Sequence, residues 1–140
     1  MDRSREAEGG EITVRSLKSW VRSVPVTDVS DIGRVLKRIL EGHAEAANTV
    51  LYIAGDTITY GQLVDIMERV SGREVLRKVW SLDHLQNQLE RNPGDLVNRY
   101  RVALAGEGVY WPMEKTVNHR LGMKMMGVEP YAKKLLSVHK

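Results

Sequence analysis

The sequence predicts an α/β fold: a partial parallel or mixed sheet with flanking helices and a helical C-terminal third. Three observations carry that expectation. Apolar and polar residues alternate in "ITVRSLKSWVRSVPVT" (12–27), short β-rich runs recur at "VLYIA" (50–54) and "EVLRKVW" (74–80), and stripes of helical period fill the intervals. The resulting order of strand, helix, strand, helix, strand, helix is that of an α/β chain.

Residues 1–11, "MDRSREAEGGE", are charged and end on glycines, the composition of a flexible N-terminus. Residues 12–140 are expected to form a single domain. Ile12, Val14, Val24 and Val26 mark two short strands joined near Lys18 to Arg22, with Pro25 at an edge or strand end. Ile32, Val35, Leu36, Ile39 and Leu40 then fall on one helical stripe, and Gly42 is its natural stop. The run at 50–54 reads as a strand covered on both faces. Thr59 with Gln62 three positions on gives a capping-box start; Leu63, Ile66, Met67 and Val70 supply the stripe of that helix, and Gly72 closes it. After the strand at 74–80, in which Trp80 reads as core, Ser81 caps a helix bearing Leu82, Leu85 and Leu89. Asp95 caps the next, whose apolar side is Leu96, Tyr100 and Leu104. A methionine-rich irregular connection leads to a last helix beginning near Pro130.

At 140 residues the chain buries about 70% of the surface its unfolded form exposes, so a core forms without staples. Hydrophobic content of 42% and charged content of 28% are globular values. There is no cysteine, which excludes disulfides, thiolate metal sites and a cysteine nucleophile and fits a reducing, cytoplasmic setting. The N-terminus lacks the apolar core of a signal peptide, and no run of apolar residues is long enough to span a membrane. The net charge of +3 gathers near the C-terminus without an aromatic-interleaved motif, so a solvated helix face is the simpler reading and no nucleic-acid partner is expected.

Asp28 and Asp31, three apart in "TDVSDIGR", raise the question of a carboxylate pair. Spacing of three places two side chains on one helix face, as metal or acid/base work requires. Capping needs less: Asp28 accepts orphan N–H groups of residues 30 and 31, and Asp31 meets the positive end of the helix macrodipole. No third acidic or histidine ligand lies nearby in sequence, and His43, His84 and His139 show no ligand spacing, so no metal is expected.

"VPVTDVSDIGRVLKRIL", "ANTVLYIAGDTITYGQLVDIMERVSGREV" and "WSLDHLQNQLERNP" together resemble the C-terminal half of NmrA-like and isoflavone-reductase-like proteins, a branch of the atypical short-chain dehydrogenases. The matching features are Asp31-Ile32-Gly33, the run at 50–54, the helix from Thr59 to Gly72, and Glu129 and Tyr131 in "GVEPYAKKLL". The resemblance covers residues 24–136 and implies a substrate-binding, C-terminal portion of an enzyme that uses NADP or NAD.

The family's dinucleotide half is not recognisable in these residues. "GEG" at 106–108 is followed by Trp111 where a third glycine would fall, and none of Tyr52, Tyr60, Tyr100, Tyr110 or Tyr131 has lysine four residues on. No cofactor is therefore expected for this chain, nor redox competence in isolation. The resemblance implies a mostly apolar pocket for a small, often aromatic, molecule, with Tyr110, Trp111, Met113 and His119 as substrate-binding candidates and His119 as candidate proton carrier. Each has a plainer reading: core aromatics after a glycine turn, a gap-filling methionine, a surface or satisfied histidine.

Three functional expectations follow. The first is the substrate-binding portion of an NmrA-like oxidoreductase, present as a fragment or truncated product. The others are a stand-alone binding or regulatory module and a repurposed cofactor-independent isomerase or cyclase. In each, the sheet edge and the stripe at Ile32, Val35, Leu36 and Ile39 need covering, and a homodimer is the simplest means.

Overall fold

The computed structural model describes residues 10–138; most of the expected flexible N-terminus lies outside them. The elements are β1 (Ile12–Leu17), β2 (Ser23–Val26), α1 (Val29–Leu40), β3 (Asp56–Thr59), α2 (Tyr60–Ser71), β4 (Val75–Trp80), α3 (Leu82–Arg91) and α4 (Leu96–Ala105). A 3-10 turn (Met113–Lys115), α5 (Val117–Arg120) and α6 (Val128–Ser137) complete the chain. The α/β class and the helical C-terminal third are as the sequence implies.

Two small sheets share α2. β1 pairs in parallel with β4, Ile12 opposite Val75 and Leu17 opposite Trp80; β2 pairs antiparallel with β3, Ser23 opposite Thr59. The apolar face of α2 covers β1, with Val64 fully buried against Val14 and Val75. Leu17, Tyr60, Leu85 and Ala105 form a second cluster joined by Trp20 and Trp80. Side chains buried as fully as Val64 and Leu85 each contribute roughly 1.5–3 kcal/mol.

Local signals set the helix ends. Asp28 accepts from the Ser30 amide at 2.9 Å, Ser81 from the His84 amide at 3.2 Å, and Asp95 from the Val97 amide at 2.8 Å. Thr59 and Gln62 exchange both bonds of a capping box, at 3.1 and 2.8 Å. Gly72 closes α2 at φ +67°, a left-handed conformation that glycine adopts without a Cβ clash.

Residues 50–54 do not form the expected strand. Their backbone groups find other partners, and a single bridge joins Tyr52 to Thr116. The Tyr52 carbonyl accepts from the Val117 amide at 2.8 Å, and the Ile53 carbonyl from the Trp111 indole at 3.0 Å. The side-chain amide of Asn118 holds both the Ala54 N–H and its carbonyl, at 3.1 and 2.9 Å. The run touches the β2 strand through the Gly55 amide, which donates to Val26 at 2.8 Å, and regular pairing begins only at Asp56. Far from being covered on both faces, Val50 is 73% exposed.

Two further expectations change. The α4 side carrying Leu96, Tyr100 and Leu104 faces solvent, while Asn98 and Ala105 are buried. The C-terminal connection contains the 3-10 turn and α5, and α6 starts at Val128 with Pro130 in its first turn. None of the helices among the described residues is long and apolar enough to cross a membrane.

Candidate functional site

The two aspartates part company. Asp28 stays with Ser30, and those hydrogen bonds hold its carboxyl below the usual range. Asp31 is almost wholly buried, accepting from Arg34 at 2.7 Å and from the Met126 amide at 2.6 Å. Arg34 also donates to the Lys124 carbonyl at 2.8 Å. Asp31 and Arg34 therefore clamp the methionine-rich connection onto α1, a role fixed by contacts some ninety residues away. Asp56 extends the clamp by accepting from the Val128 amide at 3.2 Å. Gly55 lets this connection approach: a Cβ there would collide with the Met126 carbonyl oxygen and lie 3.3 Å from its carbon. The described residues contain no cluster of three or more histidines and acids able to hold a metal.

The connection folds against residues 50–54 and sets one of the candidate residues, Trp111, against Tyr52. Trp111 lies against Tyr52, with ring centroids 5.1 Å apart and planes tilted by 47°. Its indole N–H is committed to Ile53, and the Trp111 carbonyl accepts from Thr57 at 3.3 Å. Tyr110, beside it, is 54% exposed. Met113 is half-buried at the start of the 3-10 turn. His119 is exposed on α5, where Thr116 caps its backbone amide at 3.1 Å. Asn118, which belongs to no sequence motif, is the residue that anchors this wall. Its local sequence, an asparagine between Val117 and His119, carries no signal of a partner sixty-four positions back.

Among the described residues, cavities lie elsewhere. One of about 250 Å³ is lined by Ile58, Gln62, Asp65, Ile66 and Arg69. Another, of about 170 Å³, is lined by Trp80, His84, Leu85, Gln88, Asn98 and Arg101. Neither includes Tyr110, Trp111, Met113 or His119. Helices α2 and α6 are tied by Arg69, which donates to Glu129 at 2.8 Å; Lys133, one turn on in α6, lies 3.1 Å from the same carboxylate. These bonds hold the Glu129 carboxyl down at about 2.

A large exposed apolar surface lies on α1. Val29, Ile32, Leu36 and Leu40 are exposed, and Val35 alone of the helix's apolar residues is deeply buried.

Parallel and antiparallel strand pairs sharing one covering helix, with further helices on the C-terminal side, define an α/β domain. The chain belongs to the NmrA-like family, whose model matches residues 3–129. The match begins well before residue 24, so β1 and its partnership with β4 belong to the family region too. An NmrA-like family domain-containing oxidoreductase of Gibberella moniliformis (strain M3125 / FGSC 7600) is 36% identical over 121 residues. That alignment takes in 85% of this chain and 39% of the fungal protein, so the chain spans about two fifths of the curated relative it matches. No solved structure matches.

Proposed function

We propose that this chain is the substrate-binding portion of an NmrA-like oxidoreductase and does not hold the dinucleotide by itself. The observation that carries the reading is the family match, taken with a 140-residue sequence that contains no glycine-rich dinucleotide fingerprint. Backbone N–H groups at such a loop are what would cradle a pyrophosphate, and the short "GEG" follows a helix instead of a strand. The uncovered stripe on α1 supports the same reading, as a surface against which a dinucleotide-binding α/β half packs.

Within this reading the guest is a small, often aromatic, molecule. In it Tyr110, Trp111 and Met113 contribute the wall, and His119 is assigned the proton transfer. Trp111 also carries structure through its bond to Ile53, so Tyr110→Ala and His119→Ala are the cleaner tests.

Calorimetric titration of the isolated chain with NADPH is expected to give no saturable heat, and saturable binding overturns the proposal. Once the dinucleotide-binding half is supplied, His119→Ala is expected to lower kcat with KM little changed, and Tyr110→Ala to raise KM. Unchanged kinetics in both variants would remove these residues from the site.

A further inference from the structure

At the carboxyl ends of the two parallel strands, β1 and β4, three elements bring together residues that no sequence motif connects. Trp80 ends β4, and two guanidinium groups lie over its ring: Arg101 of α4 at 4.7 Å from the centroid and Arg15 of β1 at 5.5 Å. His84 in the first turn of α3 stands 5.6 Å from the same ring, with the planes tilted by 36°. Below them Leu85 is 2% exposed and closes the floor. Crevices outside the carboxyl ends of strands are where open α/β sheets receive ligands.

The charge here is unbalanced. Among the described residues no carboxylate lies within 4.0 Å of Arg15 or Arg101, although six other lysine or arginine ion pairs form, and no acid lines the cavity. A guanidinium carries five N–H donors. The one bond from Arg101 to a described residue reaches the Oδ1 of Asn98 at 3.4 Å, near the limit of useful length. Asn98 is itself 7% exposed, and its amide nitrogen donates to the Gln88 carbonyl at 3.3 Å. Arg101 thus lines the cavity beside a buried asparagine, with most of its N–H donors unmatched among the described residues. Two cations over one indole repel each other, and the ring's electron-rich face offsets only part of that cost. An anion in the cavity beside Arg101 lowers it.

The size sets the rest of the ligand. A volume of about 170 Å³ is comparable to cavities of roughly 150 Å³ that admit benzene. We propose that this cavity binds a single-ring aromatic carboxylate, the ring lodged against Trp80, His84 and Leu85 and the carboxylate held by Arg101, with Arg15 adding charge from above the indole. A planar carboxylate matches a guanidinium fork bidentately, which a point cation such as lysine does not reproduce. The site shares no residue with the Tyr52–Trp111 wall, so NADPH binding would overturn the functional proposal above and leave this one intact.

Calorimetric titration of the chain with benzoate in low-salt buffer tests it. Saturable binding at one site per chain is expected, with benzamide, the neutral analogue of the same shape, about tenfold weaker. Arg101→Gln is expected to weaken benzoate by about tenfold while leaving benzamide unchanged. Arg15→Gln, which disturbs no bond to Asn98, is expected to weaken benzoate by a smaller factor and serves if the first variant does not fold. Absence of saturation by benzoate, equal affinity for benzamide, or unchanged benzoate affinity in a folded arginine variant overturns the proposal.

Discussion

Helices α1 and α2 are both twelve residues long and both carry an apolar stripe, yet the structure treats them in opposite ways. On α2, Val64 is fully buried and Tyr60 nearly so, beneath two sheets and α6. On α1, Ile32 is 47% exposed, Leu36 54% and Leu40 79%. What holds α1 in place is chiefly polar: Asp31 and Arg34 grip the backbone at Met126 and Lys124. Periodicity thus tells which side of a helix is apolar and leaves open what covers it. A helix docked through Asp31, Arg34 and Val35, with Ile32, Leu36 and Leu40 outward, is arranged for a further surface.

The largest effect should come from testing that contrast with the same substitution on each helix. Val64→Asp places an unpaired carboxylate in a dry core and is expected to cost more than about 3 kcal/mol, enough to abolish cooperative thermal unfolding in a marginal domain. Leu36→Asp should cost less than about 1 kcal/mol in the isolated chain. Similar losses in both, measured by urea titration, would mean that α1 is packed in solution in a way its exposure does not reveal.

Asn118→Ala comes next. It strips the buried Ala54 N–H and carbonyl of their partner, and each orphaned group costs about 1–3 kcal/mol. A loss of about 2–4 kcal/mol is expected, with early amide exchange at residues 52–54; a loss below about 0.5 kcal/mol would show that the wall at 110–118 does not depend on this amide.

Self-association is a smaller effect in free energy but sharper as a readout. With nothing else to cover α1, a second copy of the isolated chain is expected to do so, giving a homodimer by light scattering at high concentration. Leu36→Asp combined with Leu40→Asp should return it to a monomer. A wild-type chain that stays monomeric throughout would break the claim that the α1 stripe is adhesive.

Much of the fold was readable because its signals are local. Asp28, Thr59 with Gln62, Ser81, Asp95 and Gly72 each act within a few residues of themselves, so helix starts and stops followed from the chain alone. Residues 50–54 misled because their β-forming composition was satisfied by Trp111, Val117 and Asn118, partners far along the chain. Leu96, Tyr100 and Leu104 misled for the reason α1 teaches, since an apolar stripe need not be the buried one. The cluster at Trp80 was illegible: Arg15, Trp80 and Arg101 meet only because β1 and β4 pair in parallel register and α4 returns across them. Tyr110 and Trp111 do lie in an irregular stretch, but the contact of Trp111 with Tyr52 spans fifty-nine positions and has no local signal.

The smallest effect concerns how α6 is held to α2. Glu129 accepts from Arg69 and Lys133, and these bonds bring its carboxyl from the ordinary 4.5 down to about 2. A carboxyl that is more acidic in the folded state stabilises fully above its unfolded value. That contribution is lost as pH falls from about 4.5 through about 2, because protonation of Glu129 then breaks both bonds. The pair is solvent-accessible and screened by salt, so the effect is modest and shrinks at high ionic strength. Glu129→Gln should therefore be slightly less stable than the parent at pH 7, and the difference should narrow steadily below pH 4.5 and nearly vanish near pH 2. A difference that stays constant with pH would assign Glu129 a packing role instead. The polar anchoring of this end of α6 would then fall to the Asp56 bond to the Val128 amide.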